Sequence, residues 1–292
     1  APFPVLASPR MMHAPRSVVV IEELDDGVVV QETPVDGFTW HELPLALTPE
    51  APPSAGSQQA AIDAWADAVT AASPTLPSDP ATDLLLRRPP RTNGAGLVQT
   101  GDSIADIAAS ITRLDHSYLA VQGPPGTGKT YVGSHVIAQL VAERGYKIGV
   151  VAQSHAVVEN LLDRVVEAGV APSQVGKVPK EATDVPYTAV VRGKLAEFVA
   201  GQSGGYVIGG TAWDFAHQAR VPRGSLDLLV IDEAGQFSLA STIAVSLAAS
   251  RLLLLGDPQQ LPQVSQGTHP EPVDTSALGW VMDGAAVVTP EF

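Results

Sequence analysis

Residues 119–133 read LAVQGPPGTGKTYVG. A short apolar run, Leu119 to Val121, meets prolines and glycines and then a lone lysine followed by threonine. A chain that ends a strand so abruptly, and sets a positive charge at the break, is building a socket for a polyphosphate. GPPGTGKT (123–130) fits the pattern G-x-x-x-x-G-K-[ST] and stands after a strand-like run and before a helix-like one, where the mechanism needs it. Glycine permits positive φ, so the loop Gly123, Pro124, Pro125, Gly126, Thr127, Gly128 can wrap its backbone around phosphates, with N–H groups converging on one point. The helix that follows adds the positive end of its dipole. Lys129 is then expected to reach the β- and γ-phosphates, and the Thr130 hydroxyl to ligate Mg²⁺. A nucleotide polyphosphate with Mg²⁺ is the ligand this implies.

Such a socket needs a carboxylate at the end of a neighbouring strand. LDLLVIDEAGQ (226–236) supplies Asp232 and Glu233 after an apolar run. Asp232 is placed to hold Mg²⁺, directly or through water, and Glu233 to orient and deprotonate the attacking water. That is the equipment of a nucleotide hydrolase. LLLLGDPQQLPQV (252–264) is a second buried strand ending in polar residues, Asp257 and Gln260; a glutamine there can donate to a γ-phosphate and accept from water. VVAQSHAVVENLLDRV (150–165) reads as strand, turn and amphipathic helix, with Ser154 and His155 at the turn, where phosphate contacts are common.

Working outward, the chain from about residue 100 alternates strand and helix. Helix 102–115 is followed by strand 118–122, helix 128–143, strand 147–152, helix 156–168 and strand 206–210. Strand 226–231, helix 238–249 and strand 251–255 complete the series. The strands are apolar almost throughout, as strands buried on both faces must be, so the fold class is α/β: a P-loop parallel sheet with helices on both faces. The N-terminal part is different. SVVVIEELDDGVVVQE (17–32) reads as a hairpin with an Asp-Gly turn, and GFTWHELPL (37–45) could pair with it. A Pro/Ser/Ala/Gly link (49–57) precedes helix 58–72, and residues 73–96 read as a long exposed connection. Arg87, Arg88 and Arg91 within it are either a solvated cluster or a phosphate contact. Three regions result: a β-rich accessory region 1–57, a helix and Pro-rich linker 58–100, and a P-loop α/β domain 101–292. Residues 266–292, with TSALGWVMDG, read as one short helix and a tail.

Composition sets bounds. The 292 residues are 45% hydrophobic, enough for a proper core. Cysteine is absent, which excludes disulfides and thiolate metal sites and fits a cytoplasmic location. There is no secretory h-region and no run of the ~18 apolar residues that a membrane-spanning helix needs, so no membrane partner is expected. The formal net charge of −14 repels nucleic acid in bulk, so any strand contact must be local.

Taken in order, GPPGTGKT, AQSHAVVENLL, DEAGQ and GDPQQLP resemble motifs I, Ia, II and III of superfamily 1 helicases, in the branch containing the up-frameshift and senataxin-like RNA/DNA helicases. IGGTAW (208–213) resembles the further nucleic-acid-contacting motif between Ia and II in that branch. The likeness covers about residues 100–265. It implies ATP hydrolysis by Lys129, Thr130, Asp232 and Glu233, coupling of γ-phosphate to domain movement by Gln236 and Gln260, and contacts to a single-stranded DNA or RNA from Ser154, His155 and Thr211. The resemblance departs at three points. His155 replaces the Asn that commonly follows the motif Ia serine, Gln263 replaces the second proline of motif III, and Gln99 is the nearest candidate for an adenine-reading glutamine. The family has a second RecA-like domain that supplies arginines to the ATP site. With the chain starting at Ala1 and stopping at Phe292, the resemblance implies a first motor domain cut from a larger helicase, whose C-terminal motor domain would be a partner. Residues 17–45 could belong to a small β-domain of the kind this branch carries.

Three functional classes follow: an ATP-dependent helicase or translocase on single strands, a nucleotide-gated binding module without unwinding activity, and a P-loop kinase. The kinase needs basic lid residues, and after Asp232 and Glu233 the chain carries only Arg251. The helicase or translocase is the leading expectation.

Overall fold

The computed structural model describes residues 2–6, 16–32, 46–47, 55–124, 126–180, 184–260, 272–273, 275–285, 287–289 and 292. It divides into two units, Ala1–Ser54 and Ala55–Phe292. In the first, β1 (Pro2–Leu6), β2 (Arg16–Leu24), β3 (Gly27–Glu32) and β4 (Ala46–Leu47) form an antiparallel sheet in the order β3-β2-β1-β4. The β2–β3 hairpin is the one expected, but its turn is Asp25-Asp26, with Gly27 already paired to Leu24. The strand expected at 37–45 and the motif III residue Gln263 lie outside the described residues.

The second unit opens with α1 (Gly56–Ala72), α2 (Pro80–Leu85) and α3 (Ser103–Arg113). Strand and helix then alternate through β5 (Tyr118–Gln122), α4 (Lys129–Arg144), β6 (Lys147–Val151) and α5 (His155–Glu167). Next come β7 (Val175–Lys177), β8 (Thr188–Ala189), α6 (Leu195–Ala200), β9 (Tyr206–Gly210) and α7 (Ala212–Ala216). The unit closes with β10 (Leu228–Ile231), α8 (Leu239–Ser246), β11 (Leu252–Gly256) and α9 (Ala277–Met282). The seven strands are all parallel, in the order β5-β11-β10-β6-β9-β7-β8.

Alternation along each strand sorts its side chains into two cores. Tyr118, Ala120, Leu229, Ile231, Leu252 and Leu254 point to one, with Phe237 and Leu278. Leu119, Leu228, Val230, Leu253 and Leu255 point to the other, with Val136, Leu140, Leu161 and Leu162 of α4 and α5. Both faces of β10 and β11 are therefore dry, which is why these segments are continuous apolar runs. Each such side chain contributes about 1.5–3 kcal/mol by leaving water.

One expectation is overturned. Residues 73–96 are not an exposed connection throughout: α2 begins at Pro80 behind the N-cap Asp79, whose carboxylate accepts from Thr82 N, and Ala81 and Leu84 are buried. Asp83 is fully buried and accepts from Arg91 Nε at 2.7 Å and from Ser117 Oγ at 2.8 Å. Arg87 lies 3.8 Å over the Trp280 ring and donates to the Trp280 carbonyl. Arg91 and Arg87 thus fasten α2 to the start of β5 and to α9, rather than being solvated or held for a phosphate, and the half-exposed Arg88 pairs with Asp83 at 3.8 Å.

Candidate active site

Strand register decides what can meet. Gly256 of β11 pairs with Gln122 of β5, and Ile231 of β10 pairs with Leu254 of β11 and with Val151 of β6. Val151 in turn pairs with Gly210 of β9. The carboxyl ends of five strands are therefore level, and the segments that follow them, 123–128, 257–260, 232–236, 152–154 and 211, share one edge of the sheet. Open parallel sheets bind ligands at that edge.

The loop after β5 turns through Gly126 at φ +80 and Gly128 at φ +81, backbone that a side chain would strain, and Gly128 caps α4. Thr127 Oγ1 donates to the Pro124 carbonyl at 2.7 Å and braces the loop. Pro125 lies outside the described residues. The Lys129 ammonium donates to the carbonyls of Gly123 and Pro124. Lys129, Thr130, Asp232, Glu233, Asp257 and Gln260 line one cavity of about 370 Å³, so five predicted residues from three strand ends are brought together.

Motif II is held under constraint. A Cβ on Gly235 would stand 2.0 Å from the Asp257 carbonyl oxygen, so only glycine lets the loops after β10 and β11 pass this closely. Glu233 sits at φ +54, in the left-handed region, where a non-glycine residue stores on the order of 1–3 kcal/mol of strain. Asp232 is only 5% exposed and accepts from Glu233 N. Burial pushes its carboxyl from the ordinary 3.8 up to about 6, with the Glu233 charge adding and Lys129 opposing. Burial also raises Glu233, against Lys129. A buried carboxylate and a hydroxyl on one cavity form an oxygen set that fits a hard cation, and the ammonium beside them fits the phosphate oxygens that would carry it.

Gln236 and Gln260 are hydrogen-bonded to each other, Gln236 Nε2 to Gln260 Oε1 at 2.9 Å. Gln153 Nε2 donates to the Gln236 carbonyl at 3.0 Å. Gln153 opens a second cleft, of about 660 Å³, lined also by Ser154, His155, Lys180, Thr211 and Trp213. The three predicted strand-contact residues therefore meet. Ser154 is the N-cap of α5, accepting from Val157 N, which leaves its O–H to donate. Thr211 has less to offer than expected, because its hydroxyl and its N–H both donate to Asp214 Oδ2 in a capping box. His155 Nδ1 lies 2.9 Å from the Lys177 ammonium, and burial, then Lys177, lowers its pKa.

Sequence reasoning missed Asn160, Lys180 and Trp213. Asn160 lines the first cavity with Ala156, four residues earlier on α5, while His155 and Glu159 line the second cleft. Helical periodicity could have found it. Trp213 is 43% exposed and lines the cleft. Gln99 lines a separate groove along β5 that also includes Pro124 of the loop after β5.

Comparison with known proteins adds the following. The AAA domain family matches residues 102–276. The DNA replication ATP-dependent helicase/nuclease JHS1 of Arabidopsis thaliana is 30% identical over 155 residues, covering 52% of this chain and 12% of that protein. The DNA replication ATP-dependent helicase/nuclease DNA2 of Gallus gallus is 25% identical over 163 residues, covering 53% of this chain and 16% of that protein. The chain thus spans a small part of the length of these relatives. Among solved structures, the Arterivirus nonstructural protein 10 helicase in complex with DNA aligns with a TM-score of 0.35 at 20% identity, covering 60% of this chain and 35% of that one.

Proposed function

Because the chain belongs to the AAA domain family and carries the RecA-like motor domain of a superfamily 1 helicase, we propose that it binds ATP with Mg²⁺ in the cavity after β5, β10 and β11, and that nucleotide state controls its grip on a single-stranded nucleic acid in the neighbouring cleft. The observation that carries this reading is the joint between the two spaces. Helix α5 lines both, and the run Gln260–Gln236–Gln153 leads from one to the other through hydrogen bonds.

In this reading Lys129 leaves the carbonyls of Gly123 and Pro124 for the β- and γ-phosphates, and the loop Gly123–Gly128, with Pro124, Pro125, Gly126 and Thr127, cradles them. Thr130 and Asp232 would hold Mg²⁺, which when bound neutralises charge on the phosphate oxygens. Glu233 orients the attacking water and takes its proton. Gln260 contacts the γ-phosphate and Gln236 passes its position on. Ser154, His155 and Thr211 meet the strand backbone. The motif set supports the up-frameshift and senataxin-like branch. The relatives' names make DNA the first strand to test.

Affinity for a fluorescent ATP analogue, measured with and without a single-stranded oligonucleotide, tests the proposal. Coupling of this kind changes affinity by about fivefold or more, and the nucleotide must change strand affinity by the same factor. Equal affinities with and without DNA or RNA would leave two independent sites and no motor.

A further inference from the structure

Lys177, the last residue of β7, is fully buried, yet nothing in its own strand explains a lysine there. Its side chain reaches α5. The ammonium has three N–H donors, and three acceptors stand around it: His155 Nδ1 at 2.9 Å, Glu159 Oε1 at 2.7 Å and the Val178 carbonyl at 3.2 Å. An ammonium donates and cannot accept. With the ammonium paired to Glu159 at 2.7 Å, the only role left to His155 Nδ1 is that of acceptor.

We propose that Lys177 is a positioning residue that locks His155 as the neutral Nε2–H tautomer, so that the ring presents one fixed N–H donor to a phosphodiester in the cleft. This rests on the single-strand reading above. His155 and Lys180 line both that cleft and an adjoining cavity of about 330 Å³, which adds Arg192 and Arg220, the latter paired with Asp214, to the same rim. Among the described residues Nε2 has no hydrogen-bond partner, whereas Nδ1 is taken. A freely rotating imidazole could turn either nitrogen to the ligand, or swing away from it. Pinned at Nδ1, it cannot. The arrangement also explains the departure from asparagine at this position: a histidine can serve as a directed donor only if a neighbour fixes its tautomer. A packing role alone would not require a charge, since buried ion pairs are commonly replaceable by apolar residues.

Two measurements test this. In the first, long-range ¹H–¹⁵N correlation on the 292-residue protein with ring-labelled histidine reads the tautomer directly. The expected spectrum has an unprotonated Nδ1 and a protonated Nε2 for His155, assigned by its loss in His155→Ala. An Nδ1–H tautomer or an imidazolium at neutral pH overturns the lock, whatever the protein binds. In the second, anisotropy of a labelled single-stranded oligothymidylate at low ionic strength and pH 8 follows a double-mutant cycle. His155→Ala is expected to weaken binding about fivefold to tenfold in the native background and less than about twofold in Lys177→Met. Equal effects in the two backgrounds overturn the positioning role. If Lys177→Met does not fold, Glu159→Gln replaces it, with partial loss of the cycle's coupling expected and full additivity overturning the proposal. The expected tautomer with no strand binding by the native protein would instead sink the single-strand reading and leave the lock established.

Discussion

Asp232→Asn turns the cost of the buried carboxylate into a measurable quantity. The native carboxyl is 5% exposed and titrates at about 6 instead of 3.8, chiefly through burial. A raised folded pKa means that the protonated group suits the fold. Its contribution is fully present below the unfolded value and is lost as pH rises through about 6, so ionisation costs about 3 kcal/mol at pH 7 and above. Asparagine keeps an oxygen for the Glu233 N–H and carries no charge. Lys129 is not orphaned, because its ammonium already donates to Gly123 and Pro124. The variant without nucleotide should therefore be more stable than the native protein by about 1–3 kcal/mol at pH 8, and the advantage should vanish as pH falls from about 6 to about 4. With Mg²⁺ and ATP the order should reverse, since the native carboxylate brings the cation a negative charge that asparagine lacks, and nucleotide affinity of the native protein should fall below pH 6. Denaturant unfolding followed by tryptophan fluorescence is a suitable assay, because Trp65, Trp213 and Trp280 all lie in the second unit. A variant less stable than native at pH 8, or one that keeps the full Mg²⁺-dependent stabilisation by ATP, would refute the reasoning.

Glu233→Gln preserves shape and removes the base, so ATP should still bind while turnover falls by ~10²-fold or more; native turnover in the variant would remove Glu233 from the reaction. Gly235→Ala sets a methyl 2.0 Å from the Asp257 carbonyl oxygen and should destabilise by about 1–3 kcal/mol or more, read from the denaturation midpoint; an unchanged midpoint would contradict the close approach. Lys129 is the one cation among the described residues lining the proposed nucleotide cavity, and an arginine finger is worth about 10³–10⁵ in rate, so the 292-residue protein alone should hydrolyse ATP far more slowly than about 1 per second. Faster steady-state turnover would require an arginine from within this chain or from a second copy.

How much of this was legible in the sequence depends on segment length and on what each residue faces. Strands β5 and β9 were readable to the residue, because a buried parallel strand is an unbroken apolar run that stops at its ligand loop. That these residues meet was readable for the same reason: Lys129, Asp232 and Gln260 each follow such a run closely, and parallel register brings the run ends level. The short elements were not. Strands β7 and β8, of three and two residues, are too brief to show any period, and α2 is a six-residue helix marked only by its Asp79 cap. Lys177 was invisible, since a lysine in VGK reads as a surface charge until the fold sets α5 against it. Thr211 was named from a motif, but the hydroxyl's commitment to Asp214, three residues on, could have been read as a capping box.

The central claim is that residues 123–130 with Asp232 and Glu233 form the nucleotide site, and titration of a fluorescent ATP analogue with Mg²⁺ into the native protein and Lys129→Ala tests it most directly. The lysine is the point charge for the β- and γ-phosphates, and losing a charge-assisted contact of about 1.5–3 kcal/mol should weaken binding by roughly tenfold or more. Saturable binding by the native protein, lost or weakened to that degree in the variant, is the result expected. Equal affinity in the two proteins would mean that the phosphate socket lies elsewhere.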